Sequence, residues 1–209
     1  MPADGESMEN EGSFWETLEP EAQALREAMS MFPTGVTVVS SGHGEDVEGM
    51  TANAVLSVSL EPLLFLVSVH RDARLGPRIK ECGYFAASLL ASDQEGLSRL
   101  FASPERSSGA SAVHSLGGGY GKTGAPLASG ALAAIECELE DVYPGGDHEL
   151  FLGRVVAVHR GDTRRGPLVF HEGSYPSLTR APAHDNAFVD SVRGFDARMS
   201  GRAGRRRRR

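Results

Sequence analysis

The stretch "GMTANAVLSVSLEP", Gly49 to Pro62, decides how this chain is read. Val55, Leu56, Val58 and Leu60 alternate with serines, which is the period of a half-buried strand. The first half instead presents Thr51, Ala52 and Asn53 in a row, and strands seldom favour Asn. Small residues let a ligand approach the backbone closely, and an amide offers a heterocycle both a donor and an acceptor. Asn53 also suits a bulge or edge residue that satisfies its own backbone. The residues alone leave both readings open.

Working outward, "VTVVSS" (Val36 to Ser41) is a β-branched strand, and "GHGED" turns the chain back into a second strand from Val47 to Ser59. "LLFLVSV" (Leu63 to Val69) follows after Glu61-Pro62, so three antiparallel strands in sequence predict a meander. "YFAASLL" is a further strand, and "ALAAIECELEDVYPGGDHELFLGRVVAVHRG" reads as two long strands joined at "PGGDH". A short strand in "PLVFHEGSY" ends the series.

Helices are expected at the connections. One opens near Leu18 and Pro20, with Leu25, Ala28, Met29 and Phe32 at helical spacing, and a second runs from Pro77 to Cys82 before Gly83. A third is announced by Ser92 and Glu95 as a capping box, with Leu97, Leu100 and Phe101 on one face. Residues 102–130 have little periodicity and read as a long loop. About seven strands with helices at the connections predict a mainly β fold, an antiparallel barrel with peripheral helices.

The length of 209 residues and 40% hydrophobic content suit one domain. It is expected at 18–180, between an acidic disordered segment at 1–17 and a flexible Arg-rich tail at 181–209. Residues 1–25 hold seven acids and no Lys or Arg, and residues 197–209 hold seven Arg and no acid. No aromatic or folded element accompanies those arginines, so a solvated tail is preferred to a nucleic-acid contact. With no long apolar run and no leader-like N-terminus, a soluble, cytoplasmic protein without a membrane span is expected. Cys82 and Cys137 have no paired spacing, and the seven histidines form no metal-ligand pattern, so neither a disulfide framework nor a metal site is expected. "LGGGYGKT" (Leu116 to Thr123) imitates a phosphate loop, but Leu116 replaces its leading Gly, and Gly124 and Pro126 prevent the helix that must follow. There is no Gly-x-Ser-x-Gly elbow.

Five blocks in order, "ALREAMSMFPTGVTVVSS", "GMTANAVLSVSLEPLLFLVSVHRDAR", "GYFAASLLASDQEGLSRLF", "GDHELFLGRVVAV" and "PLVFHEGSY", resemble the flavin reductase family that supplies reduced flavin to two-component monooxygenases. The resemblance implies an FMN-binding split β-barrel, normally a homodimer with its flavin sites near the interface. It places the flavin ring (FMN or FAD) against Thr51, Ala52 and Asn53, with Ser57 and Ser59 at matching polar positions on one face. It places the flavin phosphate at "HRDAR", where Arg71 and Arg74 stand but Ala73 and Leu75 replace the usual hydroxyl residues. It sets Gly146, Asp147 and His148 of "GGDH" near the nicotinamide of NADH, or NADPH, with His148 as a polar or stacking contact. The implied activity is hydride transfer from NAD(P)H to flavin for a partner monooxygenase. Two alternatives remain at this point: a split-barrel enzyme that retains its flavin and acts on its own substrate, and a flavin-binding protein without turnover.

Overall fold

Six of the expected strands, one of them divided in two, gather into a seven-stranded antiparallel sheet, but its order differs from a meander. A computed structural model describes residues 17–162 and 164–178. The acidic segment, Thr17 apart, and the Arg-rich tail at 181–209 lie outside the described residues.

Helix α1 (Ala22–Ser30) leads to a two-residue strand, β1 (Thr34–Gly35). β2 (Thr37–Ser41) turns through Gly44–Asp46 into β3 (Glu48–Ala52), and β4 (Val55–Leu60) turns into β5 (Leu63–His70). α2 (Leu75–Cys82) precedes β6 (Tyr84–Leu89), after which come α3 (Glu95–Ala102) and α4 (Gly109–Leu116). A small pair, β7 (Gly117–Tyr120) and β8 (Pro126–Ala128), introduces the long hairpin of β9 (Ala133–Gly145) and β10 (His148–Arg160). β11 (Val169–Phe170) returns to pair with β1.

The main sheet runs β3-β2-β6-β9-β10-β5-β4, antiparallel throughout. Its two edges, β3 and β4, are consecutive in the chain and joined only by Asn53 and Ala54. Laid flat, seven strands span about 29 Å. The three peptide units from Ala52 to Val55 reach no more than about 11 Å. The sheet therefore has to curl until its edges approach, which makes a barrel left open between β3 and β4. The single strand expected over Val47–Ser59 is thus two strands on opposite edges. Alternation persists through both, so periodicity does not reveal the break; Ala54 already belongs to the far side, its carbonyl accepting from the Ser68 amide at 3.0 Å.

β2 is buried along its whole length because both its faces are covered. Val39 faces the barrel interior with Phe65, Val67, Phe85 and Phe151, while Val38 joins Val47, Leu90, Phe101 and Leu116 beneath α3 and α4. The buried hydroxyls of this strand all find carbonyls: Thr37 donates to Ala52 (2.7 Å), Ser40 to Pro126 (2.5 Å) and Ser41 to Tyr84 (2.8 Å). An unsatisfied hydroxyl there would cost about 1–3 kcal/mol.

The helices show where local signals fail. α2 stops at Gly83, whose φ of +74° lets its amide reach the Ile79 carbonyl at 2.8 Å, but it begins at Leu75, two residues before Pro77. α3 begins at Glu95 and not at Ser92. The capping box does not form, because Gln94 accepts from the Ala91 amide (2.9 Å) and Glu95 pairs with Arg99 (2.7 Å). Residues 102–130 are not one loop: they hold α4, β7 and β8. In α1 the apolar face is exposed, with Leu25 at 65% and Met29 at 55%.

The Gly-Lys-Thr imitation has a structural role. Glu136 on β9 is fully buried, and its carboxylate accepts from the amides of Lys122 (2.8 Å) and Thr123 (2.6 Å), the Thr123 hydroxyl (2.6 Å) and His159 Nε2 (2.5 Å). The amides that would cradle a phosphate hold this carboxylate instead. Gly121 has to be glycine, since a Cβ there would lie 2.4 Å from the carboxylate. Among the described residues no group of three or more His, Cys, Asp or Glu is placed to hold a metal, and no helix is long and apolar enough to cross a membrane.

Candidate functional site

Thr51 and Asn53 lie on either side of the point where the chain leaves β3, and they line different cavities. The larger cavity, about 610 Å³, is bounded by Thr51 from β3, His70 at the end of β5, Asp72 and Arg74 from the turn after it, and Phe101 and Arg106 from the end of α3 and the segment beyond it. Thr51 is pinned there by donating to the Ser98 carbonyl at 2.7 Å; the Ser98 hydroxyl in turn meets that of Tyr175 at 2.8 Å. Phe101 packs close to the strand because Gly49 has no Cβ, which would lie 2.6 Å from the ring.

Two guanidinium groups share this cavity. Arg74 donates through Nε to Glu48 (3.1 Å) and through Nη2 to the Arg106 carbonyl (2.9 Å). Arg106, half-buried, donates through Nε to the Gly49 carbonyl at 2.9 Å. Burial first, and then the charge of Arg74, lower Arg106 from its ordinary value, with Glu48 opposing.

One corner unites two motifs distant in sequence. His70 and His148 are partners across β5 and β10, their rings 5.1 Å apart and nearly perpendicular at 83°. His148 Nδ1 is 2.7 Å from the Asp147 carboxylate, and this hydrogen bond, aided by the charges of both imidazoles when protonated, holds Asp147 below the usual carboxylate range. The Arg71 amide donates to the Asp147 carbonyl at 3.0 Å, so "HRDAR" is joined to "GGDH" by backbone. Gly146, at φ +75°, makes the tight link between β9 and β10.

The second cavity, about 360 Å³ and mainly apolar, is bounded by Phe32, Thr34, Asn53, Val55, Leu132 and Pro167. Asn53 donates to the Thr34 hydroxyl across its rim at 3.1 Å. Ala52 is buried and lines neither cavity; its carbonyl serves Thr37. Ser57 and Ser59 do not share a face as alternation predicts. A bulge sets Ser57 opposite Phe65 and Ser59 opposite Leu64, and Ser59 accepts from the Glu61 amide at 3.2 Å. The Arg71 side chain is exposed.

The structure therefore gathers Thr51, Arg74, Asp147 and His148 around or beside one cavity with His70, and sets Asn53, Ser57 and Ser59 apart from it. His70, Arg106 and the Phe32–Thr37 segment were not singled out from sequence. Arg106 did carry a signal, since residues 102–130 contain only Glu105, Arg106 and Lys122 as charged residues. Two cations, a hydroxyl residue and two imidazoles around an open cavity of this size suit an anionic ligand with a planar heterocycle.

Comparison with known proteins agrees with this chemistry. Residues 29–179 match the flavin reductase like domain family. The NADH-dependent FMN reductase AsuE2 of Streptomyces nodosus subsp. asukaensis is 45% identical over 160 residues, covering 77% of this chain and 86% of that protein. The crystal structure of BorF, the flavin reductase component of a bacterial two-component tryptophan halogenase, superposes with a TM-score of 0.71 at 42% identity, over 77% of this chain and all of that one. Streptomyces globisporus NADH:FAD oxidoreductase SgcE6, solved with NAD and FAD fragments, gives a TM-score of 0.73 at 36% identity, over 81% of this chain and 100% of the other. The open seven-stranded barrel and the residue match together place this chain in the flavin reductase family.

Proposed function

We propose that the chain is an NADH-dependent flavin reductase that takes up FMN or FAD, reduces it, and releases it to a flavin-dependent monooxygenase or halogenase. The observation that carries this reading is the cavity at the open side of the barrel, where Thr51, Arg74 and Arg106 meet the His70–His148 corner. Its volume of about 610 Å³ lies in the range of small-molecule and cofactor sites. Its cations fit a phosphate-bearing ligand.

When bound, the flavin accepts a hydride from the nicotinamide, and the two cofactors carry that chemistry between them. The chain's own residues then bind, align and exclude water. Arg74 holds negative charge on the ligand, with Arg71 beside it on the surface. Thr51, fixed through Ser98, gives the cavity a rigid wall. His148, oriented by Asp147 and met edge-on by His70, offers the nicotinamide a polar flank. Asn53, on the neighbouring cavity, would offer its amide to the flavin ring edge, oriented by its bond to Thr34. No acid or base is required from the protein, because the transferred species is a hydride.

The functional unit is a homodimer. β4 is an edge strand that exposes Leu56 (59%), Val58 (45%) and Leu60 (70%), beside Leu63 (49%). An apolar edge of this kind is an association surface unless it is covered, and a second copy of the same strand fits it. Two unpaired thiols, Cys82 and Cys137, together with the use of NADH suit a cytoplasmic site of action.

The test is steady-state NADH oxidation by the purified chain with excess FMN or FAD. Oxidation well above a protein-free control is expected, and a rate equal to that control would remove this reading.

A further inference from the structure

We infer that Arg106 joins Arg74 to grip the flavin phosphate, replacing the hydroxyl pair usual in the family with a pair of guanidinium groups. The inference rests on the flavin reading above. The turn after β5 has no hydroxyls to give: Leu75 is fully buried in the core at the start of α2, and the Ala73 side chain packs against the same core. Three of its backbone amides are already engaged. Asp72 donates to the His70 ring (3.2 Å), Ala73 to the His70 carbonyl (2.9 Å) and Gly76 to the Ala73 carbonyl (3.3 Å).

Arg106 is placed to fill that role. A turn fixes its backbone, with the Arg106 amide on the Ser103 carbonyl (3.1 Å) and the Glu105 amide on the Ser103 hydroxyl (3.1 Å). Nε on Gly49 sets the plane of the guanidinium, and Arg74 is tied to the Arg106 carbonyl. Arg106 Nη2 and Arg74 Nη1 make no hydrogen bond to any described residue, and both arginines line the cavity. Among the described residues only Glu48 pairs with either guanidinium, through Arg74. Glu48 is held by Arg74, and Asp72, which also lines the cavity, lies beside the His70 ring, so Arg106 has no carboxylate partner of its own among the described residues; burial first, and then the charge of Arg74, lower its value. A phosphate supplies the missing partner and suits the planar fork of arginine donors.

The consequence is selectivity for phosphorylated flavin over riboflavin, which has the same ring and no phosphate. The test compares kcat/KM for FMN and for riboflavin, and KM for NADH, in the wild type, Arg106→Met and Arg106→Lys. The wild type is expected to favour FMN. Arg106→Met should lower the FMN-to-riboflavin ratio about tenfold or more, the range of a lost charge-assisted hydrogen bond. Arg106→Lys should restore part of it, since it keeps the charge and loses the fork. If Arg106→Met does not fold, Arg106→Lys must still lower the ratio.

An unchanged ratio, or a wild type indifferent to the phosphate, would overturn the inference. So would a loss confined to KM for NADH, which would assign the guanidinium to the dinucleotide pyrophosphate. Fluorescence titration with FMN and riboflavin gives the same comparison without turnover. A wild type that binds FMN more tightly but oxidises no NADH would refute the proposed reductase activity and leave this inference standing.

Discussion

Glu136→Gln tests the carboxylate that holds the Gly-Lys-Thr segment. Burial alone would push the Glu136 carboxyl up, but hydrogen bonds from the Thr123 side chain and backbone, His159 and the Lys122 backbone outweigh it and lower the value from 4.5 to about 2. A depressed carboxylate stabilises the fold above its unfolded value and loses that contribution as pH falls through its folded value. A lowering from 4.5 to about 2 corresponds to about 3 kcal/mol at pH 7. The contribution is fully present above about pH 4.5 and falls to about 1 kcal/mol near pH 3. Gln cannot carry the charge, and its amide group would turn a donor toward backbone N–H groups that already need an acceptor.

The variant should therefore melt about 6–12 °C below wild type at pH 7. In urea unfolding followed by circular dichroism, the wild-type advantage should shrink by about 2 kcal/mol between pH 7 and pH 3. Other carboxylates titrate over the same interval, but they are common to both proteins and cancel in the difference. A variant within about 1 kcal/mol of wild type at pH 7, or a difference constant across this range, would refute the reasoning.

Three further outcomes are expected. Asn53→Leu should weaken FMN binding about fivefold, the range of one hydrogen bond, when followed by flavin fluorescence quenching; unchanged affinity in a folded variant would make Asn53 a brace for the Thr34 segment only. His148→Ala should raise KM for NADH about fivefold or more while KM for FMN stays within about twofold, and a shift in the FMN value alone would move His148 away from the nicotinamide. Leu60→Asp, at a residue 70% exposed on the edge strand, should convert a dimer to a monomer by light scattering; a wild-type monomer, or a variant that stays dimeric, would contradict the proposed interface.

The barrel was legible because its strands keep period two and its turns carry their own residues, as at "PGGDH" and "GHGED". What periodicity missed is informative. "TANAVLSVSL" alternates without interruption, yet the chain crosses from one sheet edge to the other at Asn53–Ala54. Both edges demand the same alternation, so only long-range pairing, β3 with β2 and β4 with β5, reveals the crossing. The bulge that separates Ser57 from Ser59 is hidden for the same reason. Ser92 and Glu95 have capping-box spacing, but Gln94 answered the local backbone first and the helix began later.

At the site, Arg74, Asp147 and His148 came from the family resemblance, and the structure joins their motifs through the Arg71–Asp147 backbone bond and the His70–His148 contact. Arg106 lies beyond the reach of a motif. It follows α3 by a few residues and meets Arg74, 32 residues earlier, only because α3 packs over β3. The exposed apolar face of α1 has the spacing of a core helix, and spacing does not distinguish burial within a chain from burial between chains.

The central claim is that flavin is reduced and let go. Under anaerobic conditions, a trace of the chain mixed with excess FMN and NADH measures this directly through loss of the oxidised-flavin absorbance. The account predicts many FMN molecules reduced per chain, with the reduced flavin passing through a membrane that retains the protein. Reduction that stops at one flavin per chain, with the flavin retained alongside the protein, would contradict it.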